Sequence, residues 1–437
     1  MRFALTILSL VGVVLASNPL ATHDQKELDA RAIKLSKSNK FDDLREKAYQ
    51  QYHKTLKKYH VNFDEQTQKD LNVSIQELVF SSIQKAVNDE PSSPHVYWVD
   101  TAARRHDWFG LSVPGGRYSY DNPDCFYRTI PVSDKYTYRI KGQRSGKGPA
   151  DVSFSLISNL DSQNTVTSLV KKDLKVHQNG SYEIIVSPKD DKSAQNHLKS
   201  NWQAKQLFIR NNLGDWSTEK PDQLSVELVG EKAKPLPSDE TIIKRARHSL
   251  QAGTFFYGFG ALDFKTYVNP VNTLKKPGQS QILGTLQSQA QSFGHYNLKK
   301  DEALIITLSS GESDYWVVPV TSVGMITNNP EQNIVSFNQK QAHGNKNGTY
   351  TIVVSDQDPG AYNWIPTYGR SQGTVMARWQ GLKTNGDGTK GIEIYTQTAP
   401  LHSLRHVLPP ETKYINKSKR KQQIQKRREQ YAQLHFQ

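Results

Sequence analysis

Asn179-Gly180-Ser181-Tyr182-Glu183-Ile184-Ile185-Val186-Ser187 returns 168 residues later as Asn347-Gly348-Thr349-Tyr350-Thr351-Ile352-Val353-Val354-Ser355. The offset persists downstream, where Leu207-Phe208-Ile209-Arg210 falls opposite Val375-Met376-Ala377-Arg378. In both copies Asn-Gly, which tolerates the positive φ of a type I′ turn, opens a run whose Tyr, Ile and Val alternate on one face. Each copy reads as one arm of a β-hairpin within a sheet. The fold expected is therefore mainly β with helical additions, built as two related antiparallel β-sandwich, jelly-roll-like units from an internal duplication.

Around the repeat, the pattern changes from helix to strand twice. From Asp24 to Asn88 it is helical: Leu44, Ala48, Tyr52 and Leu56 recur every fourth residue, and Ser74 with Glu77 spells a capping box ahead of Leu78, Val79 and Ile83. Glu90-Pro91-Ser92-Ser93-Pro94 punctuates the chain, and strand signals follow to Val229. Ser238, Asp239 and Glu240 then cap a helix carrying Ile242, Ile243, Ala246 and Leu250, and the apolar, Gln-rich stretch Ile282 to Phe293 suggests another. The organisation expected is a signal peptide (1–17), a helical region and linker (18–94), a first sandwich (95–232), a helical connector (233–299), a second sandwich (300–400) and a basic tail (401–437).

Met1-Arg2, an apolar run from Phe3 to Leu15 and the small residues Ala16-Ser17 describe a signal peptide, which places the protein in the secretory pathway or outside the cell. No later run reaches the roughly 20 apolar residues of a membrane span. Four sequons, at Asn72, Asn179, Asn347 and Asn416, fit that route, although the turns at Asn179 and Asn347 ask for Asn-Gly on their own account. Cys125 is the sole cysteine, so an intrachain disulfide is excluded and the fold rests on its cores. The formal charge of +14 suggests an acidic partner, but eight Lys and Arg against two Glu lie between Glu411 and Gln437. That tail copies a nucleic-acid arm, yet export argues against a nucleic-acid partner; a basic helix or frayed end is the simpler reading.

The second unit resembles a known family. Tyr315-Trp316, the Asn-Gly-Thr-Tyr hairpin, Asp358-Pro359-Gly360, Asn363-Trp364-Ile365-Pro366-Thr367 and Arg378-Trp379 are similar to the domain-of-unknown-function family twelve-fourteen over Lys300 to Arg378. Upstream, Asp121-Asn122-Pro123-Asp124, Tyr127-Arg128 and Tyr138-Arg139-Ile140-Lys141-Gly142 resemble the region that often accompanies that domain, with Cys125 where a polar residue is expected. The resemblance implies a sandwich or jelly-roll fold and no particular reaction.

Read by chemistry, Asp358-Pro359-Gly360 is a turn and Trp364 a core residue with one N–H to satisfy. The functional alternative is that Tyr315, Trp316, Asp358, Asn363, Trp364 and Arg378 converge on an aromatic-walled cleft of the second sandwich. The first copy keeps Arg210 but loses the aligned Asp-Pro-Gly and Trp, which puts the expected site in the second unit. Other chemistry is thin. His402 and His406 share a helical spacing without an acidic third ligand, and solvent exposure is expected of both. No G-x-S-x-G elbow or phosphate-cradling loop occurs; Gly115-Gly116 and Gly146-Lys147-Gly148 lack the length and context. The cluster from Arg104-Arg105-His106-Asp107-Trp108 to Arg117-Tyr118-Ser119-Tyr120 could hold an anionic glycan, but a solvated loop is favoured. No catalytic residue, metal or cofactor is assigned. The function expected is a secreted, non-catalytic protein that binds a small molecule, a glycan or an acidic surface; the alternative is an extracellular enzyme acting on a glycan or small molecule with its site in the second sandwich.

Overall fold

The computed structural model describes residues 18–108, 110–280, 286–383 and 387–435. Residues 1–17, expected to be a signal peptide, lie outside them. Three helices open the described chain: α1 (His23–Ser36), α2 (Asp42–Lys58) and α3 (Glu65–Val87). Leu44, Ala48, Tyr52 and Leu56 are buried along α2 as their spacing predicts. The capping box at Ser74 is not formed. Asp64 caps α3 ten residues earlier, Ser74 Oγ donates to the Asp70 carbonyl, and Glu77 pairs with Arg117. Tertiary packing carries the helix through that signal, because nearly every residue from Ser74 to Val87 is buried.

The first sandwich has nine strands: β1 (Tyr97–Val99), β2 (Cys125–Pro131), β3 (Tyr138–Gln143), β4 (Asp151–Ile157), β5 (Thr165–Val170), β6 (Ser181–Ser187), β7 (His197–Lys199), β8 (Gln206–Asn212) and β9 (Gln223–Leu228). They form a larger sheet of order β1-β2-β8-β4-β5 facing a smaller one of order β9-β3-β6-β7. A helix α4 (Asp239–Gly253), capped by Ser238 as expected, and two π-helical segments (Thr254–Phe259 and Leu262–Thr266) connect the units. The second sandwich repeats the plan with β10 (Thr273–Leu274), β11 (Ala290–Asn297), β12 (Glu302–Leu308), β13 (Tyr315–Thr321), β14 (Ser336–Asn338), β15 (Tyr350–Ser355), β16 (Trp364–Pro366), β17 (Gln372–Gln380) and β18 (Ile394–Pro400). Its sheets are β10-β11-β17-β13-β14 and β18-β12-β15-β16. The two plans correspond strand for strand, down to the single parallel pair in each small sheet, β6 with β7 and β15 with β16.

Two local expectations are corrected. The Asn-Gly turns are not type I′, because only Gly180 and Gly348 have positive φ, both +82°. Each is a three-residue loop: Gly180 N–H donates to the His177 carbonyl and His177 N–H to the Ser181 carbonyl, and Asn345, Gly348 and Thr349 repeat the pattern. Such a type I turn closed by a left-handed Gly also matches strand twist. The helix expected over Ile282–Phe293 is not formed in its described part: Ala290–Asn297 is β11, hydrogen-bonded along β17, so the second sandwich starts earlier than residue 300.

Alternation along the large sheets sets everything else. In β8, Leu207 and Ile209 point into the first sandwich core; in β17, Val375, Ala377 and Trp379 point into the second. The opposite faces, with Phe208, Arg210, Met376 and Arg378, look away from their own cores and toward the helices and each other. A last helix, α5 (Lys417–His435), lies across both units. Its helical periodicity is weak because arginines do the anchoring. Buried Arg420 pairs with Asp358, and buried Arg427 stacks over Trp216 of the first unit and Phe337 of the second. The basic tail is thus a docked helix.

Candidate functional site

The outward faces of the two large sheets enclose a chamber of about 80 Å³. Tyr127 of β2 and Phe208 and Arg210 of β8 line one side; Gln291 and Phe293 of β11 and Met376 and Arg378 of β17 line the other. Arg210 and Arg378 hold the same place in the duplicated plan, each on the central strand of its sheet. The loop carrying Tyr118 to Tyr120 and the π-helical segments carrying Tyr257 and Lys265 complete the walls. π-helical turns concentrate at functional sites, since the extra residue re-aims side chains.

The backbone around the chamber is strained. Asp100, Ser119, Tyr120 and Gln163 all line it, and all have positive φ, at 56°, 46°, 64° and 51°. A non-glycine residue there carries roughly 1–3 kcal/mol of strain, which the surrounding structure must impose. The loop is held by cross-unit hydrogen bonds: Tyr120 N–H donates to the Met325 carbonyl, Thr327 Oγ1 to Asp121, and Arg378 Nη2 to the Tyr120 carbonyl. Arg117 is clamped between Glu77 and the Thr327 carbonyl.

Three buried polar atoms of the chamber residues have no hydrogen-bond partner among the described residues: Arg378 Nη1, Tyr257 Oη and Asp100 Oδ1. Their residues are 6%, 5% and 8% exposed. Burial, reinforced by Asp121, pushes the Asp100 carboxyl well above the usual carboxylate range against the pull of Lys85 and Arg378. Burial and the neighbouring Lys275 bring Lys265 down to about 8. Arg210, Arg378 and Lys265 therefore make the chamber positive, with Asp100, pushed upward by burial, as the carboxyl in its lining. Aromatic walls complete it: Tyr127 stacks on Phe208 at 5.6 Å, Tyr118 meets Tyr257 edge-on at 5.3 Å, and Tyr120 meets Phe293 at 5.4 Å.

The six residues expected to converge do not share a cleft. Trp316 is fully buried inside the second sandwich, opposite Trp379. Trp364 packs in a separate cluster on the outer face of the small sheet, where its Nε1 donates to Ser355 Oγ at 2.9 Å and Arg420 lies 5.0 Å from its ring. Asn363 ties down the His343 backbone, and Asp358 pairs with Arg420. Tyr315 faces the first unit, donating to Asp124 at 2.6 Å. Only Arg378 reaches the chamber. Strand alternation separates Trp316 from Arg378, two positions that sequence proximity alone cannot assign to faces.

Sequence reasoning missed Asp100, Tyr127, Tyr257 and Lys265, and set Arg210 aside as a remnant. The matched Arg210 and Arg378 were the available signal. The loop through Arg117, Tyr118 and Tyr120 is buried rather than solvated, as is Arg104; the side chains of Arg105 to Trp108 lie outside the described ones. His402 and His406 are exposed. Among the described residues no cluster of three metal-ligating side chains occurs, and no helix is long and apolar enough to cross a membrane.

Residues 290–397 match the family described as protein of unknown function (DUF1214), a span that begins with β11 and ends within β18. No curated protein matches the chain. Among solved structures, an uncharacterized protein from Burkholderia cenocepacia is similar in fold, with a TM-score of 0.68 and 21% identity over 85% of this chain and 99% of that one. The VPA0106 protein from Vibrio parahaemolyticus aligns over 75% of this chain and 100% of its own, with a TM-score of 0.40 and 8% identity.

Proposed function

We propose that this chain, whose second sandwich matches a family of unknown function, is an exported binding protein that holds a small organic anion between its two sandwiches. The observation that carries the reading is the trio of unpartnered buried atoms, Arg378 Nη1, Tyr257 Oη and Asp100 Oδ1, around one positively charged chamber. Each buried polar group left unpaired costs about 1–3 kcal/mol, so the folded protein favours an occupant that supplies acceptors to the guanidinium and phenol. A carboxylate does this, and the upward push that burial gives the Asp100 carboxyl lessens the repulsion an anion meets there. Aromatic walls suit a flat or apolar remainder. The strained residues at 100, 119, 120 and 163 support the same reading, because strain of this kind is kept where geometry serves a ligand.

The test is calorimetry and thermal shift with acetate and benzoate against chloride at constant ionic strength, on the wild type and Arg378→Gln. The anion raises the melting temperature by binding the folded state alone. Arg378→Gln removes one charge-assisted hydrogen bond, so affinity falls about tenfold or more. A folded Arg378→Gln protein that binds with undiminished affinity refutes the assignment. Export is tested separately: secreted material analysed by mass spectrometry lacks Met1, and recovery of the intact N-terminus from cytosol overturns that part. The exposed Asn179, Asn347 and Asn416 are the sequons proposed to carry glycans. Asn72 is disfavoured because its Ser74 is buried in α3.

A further inference from the structure

Outside the chamber, between α3, α4 and the loop at 158–161, lies a groove of about 620 Å³. Lys85 of α3 lines it. That lysine is 8% exposed, and its Nζ lies 4.5 Å from the ring centre of Tyr118 and 5.3 Å from that of Tyr257. Among the described residues no carboxylate lies within ion-pair distance of it. The groove's two carboxylates are engaged elsewhere, Asp89 with Arg245 at 3.6 Å and Asp161 with His248 at 3.3 Å. Two aromatic faces offset only part of what a buried ammonium loses on leaving water. A second polar group points the same way: Ser249 is 7% exposed, lines the groove, and its Oγ has no partner among the described residues. Between these groups the wall is largely carbon, from Leu160, Ala86 and the methylene stems of Lys205 and Lys244.

We propose that this groove is a second ligand site, taking a carboxylic acid with a hydrocarbon body: the carboxylate pairs with Lys85 Nζ and the chain lies along the carbon wall. Burial lowers Lys85 to about 8, so it still carries its charge at neutral pH. The site is separate from the chamber: Tyr118 and Tyr257 form the wall between them, and the Lys85 charge is felt by Asp100 across it.

The experiment is calorimetry at pH 7 with butanoate, hexanoate and octanoate on the wild type, Lys85→Met, Lys244→Trp and Arg378→Gln. Each added methylene tightens binding, by roughly fourfold where it is fully buried. Lys85→Met keeps the unbranched apolar stem, one atom shorter, and removes the charge, and weakens octanoate at least tenfold. Lys244→Trp starts from an exposed position on α4 and fills the groove from its rim; it removes the dependence on chain length without touching the buried wall. In Arg378→Gln, whose chamber is weakened for carboxylates, octanoate still binds at the groove and keeps its chain-length dependence. Affinity independent of chain length, or octanoate binding lost in Arg378→Gln, overturns the proposal. So does wild-type octanoate affinity in a Lys85→Met protein of native melting temperature. If Lys85→Met does not fold, Lys244→Trp decides alone: an unchanged chain-length series in that variant rejects the site.

Discussion

Asp124 is a point at which the two sandwiches can be loosened by the loss of a single proton. It is fully buried and accepts from Tyr315 Oη at 2.6 Å and Asn338 Nδ2 at 2.7 Å in the second unit, and from Trp216 Nε1 at 3.0 Å in the first. Burial pushes its carboxyl up from 3.8 to about 6, despite those donors and the charge of Arg427. A carboxyl raised on folding contributes its full stabilisation below its unfolded value and loses it as the pH rises through its folded value. A shift of about two units corresponds to about 3 kcal/mol, lost between pH 4 and 7. Asp124→Asn removes the titration and turns a donor toward Asn338 or Trp216. The variant is therefore less stable than wild type at pH 4, and the gap narrows by about 3 kcal/mol by pH 7. Urea unfolding at half-unit pH steps, followed by tryptophan fluorescence and comparing midpoints and slopes, measures the gap directly. A gap that stays constant, or widens toward pH 7, refutes the reasoning: it would mean that the donors hold the carboxylate ionised.

Three further outcomes follow from packing. Gly142→Ala places a Cβ 2.1 Å from the Tyr182 ring, so it lowers the stability of the first sandwich by about 1–3 kcal/mol by chemical denaturation. Trp316→Ala empties the second core and costs about 3–5 kcal/mol in the same assay, with no effect on acetate affinity in protein that remains folded. Arg420→Ala removes the Asp358 ion pair and the cap over Trp364, and limited proteolysis then cuts α5 faster than in wild type.

The architecture was legible because it is written in short-range pattern and then repeated. Tyr182 to Val186 and Tyr350 to Val354 announce strands by alternation, and a constant offset announces that the strands occupy equivalent places. Helices with a one-sided apolar face, such as the one through Leu44 and Leu56, were equally plain. Ile282 to Phe293 misled because its glutamines and serines carry no β-branched signal, and in β11 the polar Gln291 and Ser292 are buried alongside Ala290 and Phe293, so no in-and-out alternation marks the strand. The chamber was hidden for a different reason. Asp100, Tyr118, Arg210, Tyr257 and Arg378 are far apart in the chain, and only the facing of the two large sheets brings them together. The docked helix α5 was illegible because its buried face is made mostly of Arg420, Arg427 and Tyr431, residues that hydropathy scores as exposed, with Leu434 the one aliphatic residue among them.

That helix also dictates an order of events during synthesis. Arg427 lies over Trp216 and Phe337, rings from the two different sandwiches, yet it follows both of them in the chain. Each sandwich can condense as it leaves the ribosome and meet the other through Asp124 and Tyr120, but the edge of the seam at Trp216 and Phe337 stays open to water until α5 has been made. Nascent chains stalled before Lys417 should therefore expose the Trp216 and Phe337 rings. That window leaves this edge uncovered until the last helix closes it.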